Sequence, residues 1–214
     1  MKKSILTFVM VLLGASHAMA QTSDYKKAEF YIGYSNNQVD TGADSGNSVR
    51  SFFDDRLSFN GFNVSGVYNV SRYVGVKADV SGTYKNKDFS GTVQEGAGTM
   101  MVRFKTKNSL YNVLGGVQIK DNSTETKVKP FAHALIGAGH GRTRLTNVEC
   151  PSGNFCAALD RSSSETALAG AFGGGLDIKA GKRVQIRLIQ VDYNPIKFDD
   201  GTSHNVRIGA GIVF

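Results

Sequence analysis

The sequence predicts an all-β chain, an eight-stranded antiparallel up-and-down transmembrane β-barrel. Three observations point to it. Apolar and polar residues alternate at period two in eight segments; the connections between them alternate short and long; and an amphipathic last segment closes on Phe214.

Residues 1–20 stand apart from the rest of the chain. Met1-Lys2-Lys3 is a short basic start, Ile5 to Leu13 is apolar apart from Thr7, and Ala18-Met19-Ala20 has the small-x-small pattern of a signal-peptidase site. The run is too short to span a bilayer as a retained anchor, so residues 1–20 read as a signal peptide and 21–214 as one barrel domain. Cleavage would expose Gln21 rather than a cysteine, which gives no sign of a lipoprotein anchor. It would also remove Lys2 and Lys3 and no acid, lowering the formal charge from +7 to +5. Export argues against nucleic acid as the partner of this basic chain and favours an anionic envelope surface.

The remaining chain has no Trp and only three Pro against 25 Gly, a composition that suits Gly- and aromatic-rich strands. Strand signals begin with Phe30, Ile32 and Tyr34 opposing Glu29, Tyr31 and Ser35, then Phe62, Val64, Tyr68 and Val70 opposing Asn63, Ser65 and Asn69. The cleanest is Val74 to Tyr84, with Val74, Val76, Ala78, Val80 and Tyr84 on one side and Lys77, Asp79, Ser81 and Thr83 on the other. At about 3.3 Å per residue and a tilt of about 40°, that segment covers roughly 25 Å, the apolar band of an outer-membrane barrel.

Tyr111, Val113, Val117 and Ile119 oppose Asn112 and Gln118 in the fourth segment. In the fifth, Val128 to His140, Lys129 and His133 suggest that odd positions face inward. Phe172, Leu176 and Ile178 oppose Asp177 and Lys179 in the sixth. The seventh, Arg183 to Tyr193, changes parity between Arg187 and Gln190, which predicts a β-bulge near Leu188-Ile189. The eighth sets Val206, Ile208, Ala210, Ile212 and Phe214 against Asn205 and Arg207.

Short connections are expected at Ser71-Arg72 and Ala180-Gly181 and a moderate one over 120–127. Long polar loops are expected over 36–60, 85–108, 141–166 and 194–204. An even strand number puts both ends of the chain on the short-turn, periplasmic side. A soluble lipocalin-like barrel would carry the same alternation with opposite facing. Phe214, the loop rhythm and the even strand count favour the membrane barrel.

In hydrocarbon every backbone polar group needs a partner, so the strands must close, and eight strands leave room only for side chains. The expected inward charges are Glu29, Asp79, Asp177 and Asp192 against Lys77, Lys179, Arg187 and Arg207. Unpaired they would be costly, so ion-pair networks are expected. A narrow channel lined by the same charges is the rival reading.

Cys150 and Cys156, close together in an exported chain, are expected to form a disulfide pinning the third long loop. Arg103, Lys105 and Lys107 share the lipid-facing parity of Tyr111. A strand continuing above the membrane would aim them at lipopolysaccharide phosphates; a solvated extension is the plain alternative. Phe52, Phe53, Asp54 and Asp55 suit loop packing, and Asp40, Asp44, Asp54 and Asp55 lack calcium-loop spacing. Ser203 and His204 are adjacent, so in a strand they point to opposite faces, and no metal, cofactor or enzyme is expected.

The segments GFNVSGVYNVSRYVGVKADVSGTY, KPFAHALIGAG and GGGLDIKAGKRVQIRLIQVDY, with the terminal GAGIVF, resemble the small OmpA-like outer-membrane β-barrel family over essentially the whole mature chain. The resemblance implies an eight-stranded barrel in the outer membrane and no catalysis. No peptidoglycan-binding domain is expected after the last strand, so the tethering role of longer relatives is not carried over. Phe214, Ile212 and Ala210 resemble the terminal signal read by the barrel-assembly machinery. The His-x-Ser arrangement of outer-membrane lipid A deacylases is absent, because Val206 stands two positions after His204. The leading expectation is a monomeric, non-enzymatic envelope protein with a structural or loop-mediated role. Its partners would be outer-membrane lipid and lipopolysaccharide, with periplasmic chaperones and the assembly machinery during biogenesis. The second expectation is a narrow porin-like channel for small polar solutes.

Overall fold

A computed structural model describes residues 25–40, 56–95, 98–149, 162–199 and 201–214. The expected signal peptide, the Cys150–Cys156 pair, and Phe52, Phe53, Asp44, Asp54 and Asp55 lie outside them. Eight strands form: β1 (Ala28–Asp40), β2 (Arg56–Asn69), β3 (Val74–Glu95), β4 (Gly98–Lys120), β5 (Val128–Glu149), β6 (Ser162–Lys179), β7 (Gln185–Phe198) and β8 (Gly201–Val213). Each pairs antiparallel with its sequence neighbour, and β1 pairs with β8 from Tyr31↔Val213 to Gln38↔Val206, closing the barrel. Phe214 extends the seam, its N–H donating to Phe30 O at 2.8 Å and its carbonyl accepting from Phe30 N at 3.1 Å.

The facing is inside out relative to a soluble barrel. Val76, Val113, Ile136, Leu168 and Phe172 are 50–61% exposed only in the sense that no protein covers them. Together with Ile32, Val80, Val117, Ile186 and Ile208 they form a continuous apolar belt, while Asn63, Ser65, Asp79, Asn112 and Gln118 are buried in the lumen. A belt of this extent is far larger than a water-soluble monomer exposes, and it excludes the lipocalin-like alternative. Tyrosines rim it: Tyr34, Tyr84, Tyr111 and Tyr193 at the long-connection end, Tyr68 and Tyr73 at the other. Tyr84 and Tyr111 meet edge to face, 5.7 Å between centroids.

The short connections fall where expected, and Val70–Val74 and Ala180–Val184 are closed by backbone hydrogen bonds of 3.0 Å. The register slips between Arg187 and Gln190, which is the bulge that the parity change foretold. The long connections differ from expectation. Residues 85–108 are not a loop: β3 and β4 stay paired from Lys85↔Asn108 to Glu95↔Gly98. β7 and β8 likewise remain in register to Phe198↔Gly201, and β5 runs on to Glu149. Above the membrane both faces of a strand meet water, so polar residues occupy both and the period-two signal vanishes, although the ladder continues.

Candidate functional site: the charged lumen

Inward parity brings side chains from seven strands to the barrel axis, where their charges meet. Arg207 of β8 stands at the centre of one cluster. Its Nη2 and Nε donate to Asp192 Oδ2 at 2.7 and 2.9 Å, and its Nη1 to Asp79 Oδ1 at 2.8 Å. Lys77 lies 3.9 Å from the other oxygen of Asp79 and donates to His133 Nδ1 at 3.2 Å. An ammonium only donates, so Nδ1 accepts, and the imidazole proton sits on Nε2, 2.9 Å from Asp192 Oδ1. His133 is thus placed as a neutral bridge.

The second cluster lies toward the short turns. Arg187 grips Asp177 in a two-point fork, Nε to Oδ1 at 2.8 Å and Nη2 to Oδ2 at 3.0 Å. Its guanidinium is stacked 4.3 Å from the Tyr31 ring centre and 4.0 Å from that of Phe131. Lys120 Nζ spans Glu29 at 2.9 Å, Asp177 at 2.7 Å and Gln185 at 3.0 Å. Gln190 joins the clusters, accepting from Arg187 at 2.7 Å and donating to Asp192 at 2.7 Å.

Lys179 is the exception among the expected inward charges. It has inward parity at the last residue of β6, but that position is the barrel rim, and its exposed Nζ donates to Thr124 O at 2.6 Å. Lys120 fills the role in its place, as the inward residue one step past the outward Ile119. Four carboxylates, Glu29, Asp79, Asp177 and Asp192, therefore meet four bases, Lys77, Lys120, Arg187 and Arg207. A fifth buried base, Lys129, shares the inward parity and donates to Ser123 O at 2.6 Å, so the described lumen carries one base more than it has acids.

Toward the long connections the interior changes character. Leu110, Leu114, Leu135, Ala169, Ala171 and Ile196 of β4–β7 form a buried apolar cluster, flanked by Val39, Ala167 and Phe198, with buried Asn112 and Asn194 hydrogen-bonded to each other among them. Arg187, Arg207 and Lys77 are 1% exposed, Lys120 2%, Leu135 1% and Ile196 0%, so solvent reaches neither layer. Cavities open beyond them, one of about 650 Å³ at the long-connection end and one of about 210 Å³ at the short-turn end.

On the outside, β4 does continue past Tyr111. Arg103 and Lys107 are exposed, and Lys105 lies 3.2 Å from Asp88. Arg142 and Arg144 of β5, not singled out from the sequence, share this face, and Arg144 stands directly opposite Lys107. Among the described residues no cluster could hold a metal ion. His140 meets Thr166 on the outer surface at 2.8 Å and His204 stacks on Tyr193, while Ser203 turns toward Asn205 at 2.9 Å. Ser203 and His204 are thus held apart on opposite faces.

A closed eight-stranded barrel with an apolar exterior and a polar, ion-paired interior is an outer-membrane β-barrel. The chain belongs to the family of the outer membrane protein β-barrel domain, whose model matches residues 6–214, and this places it in the outer membrane. No curated protein matches it significantly. Among solved structures it is similar to Ail of Yersinia pestis in complex with the heparin analogue sucrose octasulfate, at 23% identity and TM-score 0.49 over 87% of this chain and 97% of that one. Neisserial surface protein A is similar at 10% identity and TM-score 0.51, over 89% of this chain and 98% of that one. OprG of Pseudomonas aeruginosa matches at 12% identity and TM-score 0.38, over 88% and 96%. The likeness to the neisserial protein is one of fold.

Proposed function

We propose that the protein is a sealed, non-enzymatic outer-membrane barrel that acts through its outer surface and raised hairpins. The single observation that carries this reading is the lumen, filled with buried side chains: an ionic network and, beyond it, a mainly apolar cluster. A channel for small polar solutes would have to break the network and also wet the leucine layer. Both barriers favour a role in envelope integrity or in contacts made by the long connections, with the short turns and both chain ends on the periplasmic side and the barrel acting as a monomer.

Lipopolysaccharide is the partner the outer face favours. Lys107 lies four residues beyond Tyr111, roughly 10 Å further along the membrane normal for a tilted strand, at the level of lipid phosphates and inner sugars. Like charges directly opposite on a sheet repel, so the Lys107–Arg144 pair favours an anion between them, with Arg103, Lys105 and Arg142 as neighbours. Substituting Arg103, Lys105 and Lys107 together with Ser is expected to weaken lipopolysaccharide binding by the refolded barrel about tenfold. Unchanged binding would rule these cations out as a lipopolysaccharide site. Chaperones and the assembly machinery would meet the chain earlier, the latter at Ala210, Ile212 and Phe214.

A further inference from the structure

The short-turn end holds cations for which the lumen has no acids left. Residues 25–27 fold across this end, with Lys26 N donating to Asn122 O at 3.2 Å and Asn69 N to Lys27 O at 2.8 Å. Beneath this strap lies the cavity of about 210 Å³, whose charged lining is Lys26, Lys129, Lys179, Lys182 and Arg183, with no Asp or Glu. The nearest carboxylates are engaged elsewhere. Glu29 and Asp177 hold Lys120 and Arg187, and Asp121 holds Arg72, Ser123 and Thr126. Glu125 is exposed on the neighbouring turn and does not line the cavity.

Three of these ammonium groups find only backbone carbonyls. Lys26 donates to Arg183 O at 3.1 Å, Lys129 to Ser123 O at 2.6 Å and Lys179 to Thr124 O at 2.6 Å. Each has three protons to give, so donors remain. Burial, with Lys120, Lys129 and Arg183 close by, holds the Lys26 ammonium below its ordinary pKa despite the opposing pull of Glu29.

An independent observation comes from Asn122. It is 0% exposed and lines the same cavity, yet neither its Nδ2 nor its Oδ1 has a hydrogen-bond partner. A buried carboxamide left unsatisfied on both sides is costly, and most such groups have a partner. A group partnering both atoms has to accept from Nδ2 and donate to Oδ1, among several cations. A bare carboxylate only accepts. A phosphate that keeps a proton, or that carries a hydroxyl beside it, does both.

We propose that this cavity is a binding site for a phosphate group with an adjacent hydroxyl donor, held by Lys26, Lys129, Lys182 and Arg183 and read by Asn122. Free phosphate and the headgroup of a phosphatidylglycerol lipid share that chemistry.

The test monitors the side-chain amide of Asn122 by nitrogen-15 NMR in the refolded barrel. One arm uses phosphatidylcholine nanodiscs titrated with inorganic phosphate against sodium chloride of matched ionic strength. The other uses phosphatidylglycerol-containing nanodiscs without phosphate. Each is repeated with Lys182→Ala/Arg183→Ala, an exposed-turn variant whose folding is checked by its heat-modifiable gel migration. A saturable shift in the first arm, about tenfold weaker in the variant, assigns the site to free phosphate. A shift confined to the second arm, and lost in the variant, assigns it to the headgroup. No shift in either arm, or a shift unaltered in the variant, overturns the proposal.

Discussion

Arg187 shows at residue scale how the lumen is held. Its guanidinium holds both oxygens of Asp177, supplies Gln190 and fills the space between Tyr31 and Phe131. Arg187→Ala removes all three at once and leaves Asp177 to Lys120 alone. Breaking one partner out of a buried pair costs about 3–5 kcal/mol, and denaturant unfolding of the refolded barrel should show a loss of that order. A loss under about 1 kcal/mol would mean that the lumen is wet enough to solvate Asp177. Asp121 gives a second test, on the turn outside the membrane. The Arg72 guanidinium, helped by Thr126 and Ser123, holds its carboxyl well below the ordinary carboxylate pKa. A lowered folded pKa stabilises above the unfolded value of about 3.9, and that stability is lost as pH falls through the folded value. Carbon-13 titration should find the Asp121 midpoint below about 3.9 and should find it raised in Arg72→Ala. Seven of the eight interior charges expected from parity do face the lumen, because one charge per inward step leaves an unambiguous pattern. Lys120 escaped that reading because it follows the last outward apolar residue, Ile119, where strand and turn look alike in sequence.

At the scale of the element, strand order, short turns and the β7 bulge were legible, since lipid on one side and packed side chains on the other impose period two. Strand length was not. Residues 85–108 read as a loop because water on both faces above the bilayer erases alternation, while backbone pairing needs no particular side chain. The apolar layer was equally hidden. Leu110 and Leu114 have inward parity, but the outward Tyr111 and Val113 beside them are apolar too, so no alternation marks the facing there. Close packing of neighbouring strands is testable through two glycines. A Cβ on Gly116 would sit 2.1 Å from Ala134 O, whereas one on Gly66 meets nothing within 4 Å. Gly116→Ala should therefore cost about 1–3 kcal/mol or block refolding, and Gly66→Ala should stay within about 0.5 kcal/mol of the parent. Equal effects in equilibrium unfolding would contradict the register between β4 and β5.

For the whole molecule, the two luminal layers act together. The ionic layer alone could in principle exchange its partners and admit water, and the apolar layer alone could dewet and rewet. In series, a solute must defeat both, and on the proposed reading the barrel acts through its surfaces, the cations above Tyr111 among them. Single-channel recording from the refolded chain in a planar bilayer, beside the Arg187→Ala variant, tests this most directly. Folded parent protein is expected to show no discrete conductance steps. Steps in the parent whose size changes in Arg187→Ala would contradict the sealed barrel and make the charged lumen a conduction path.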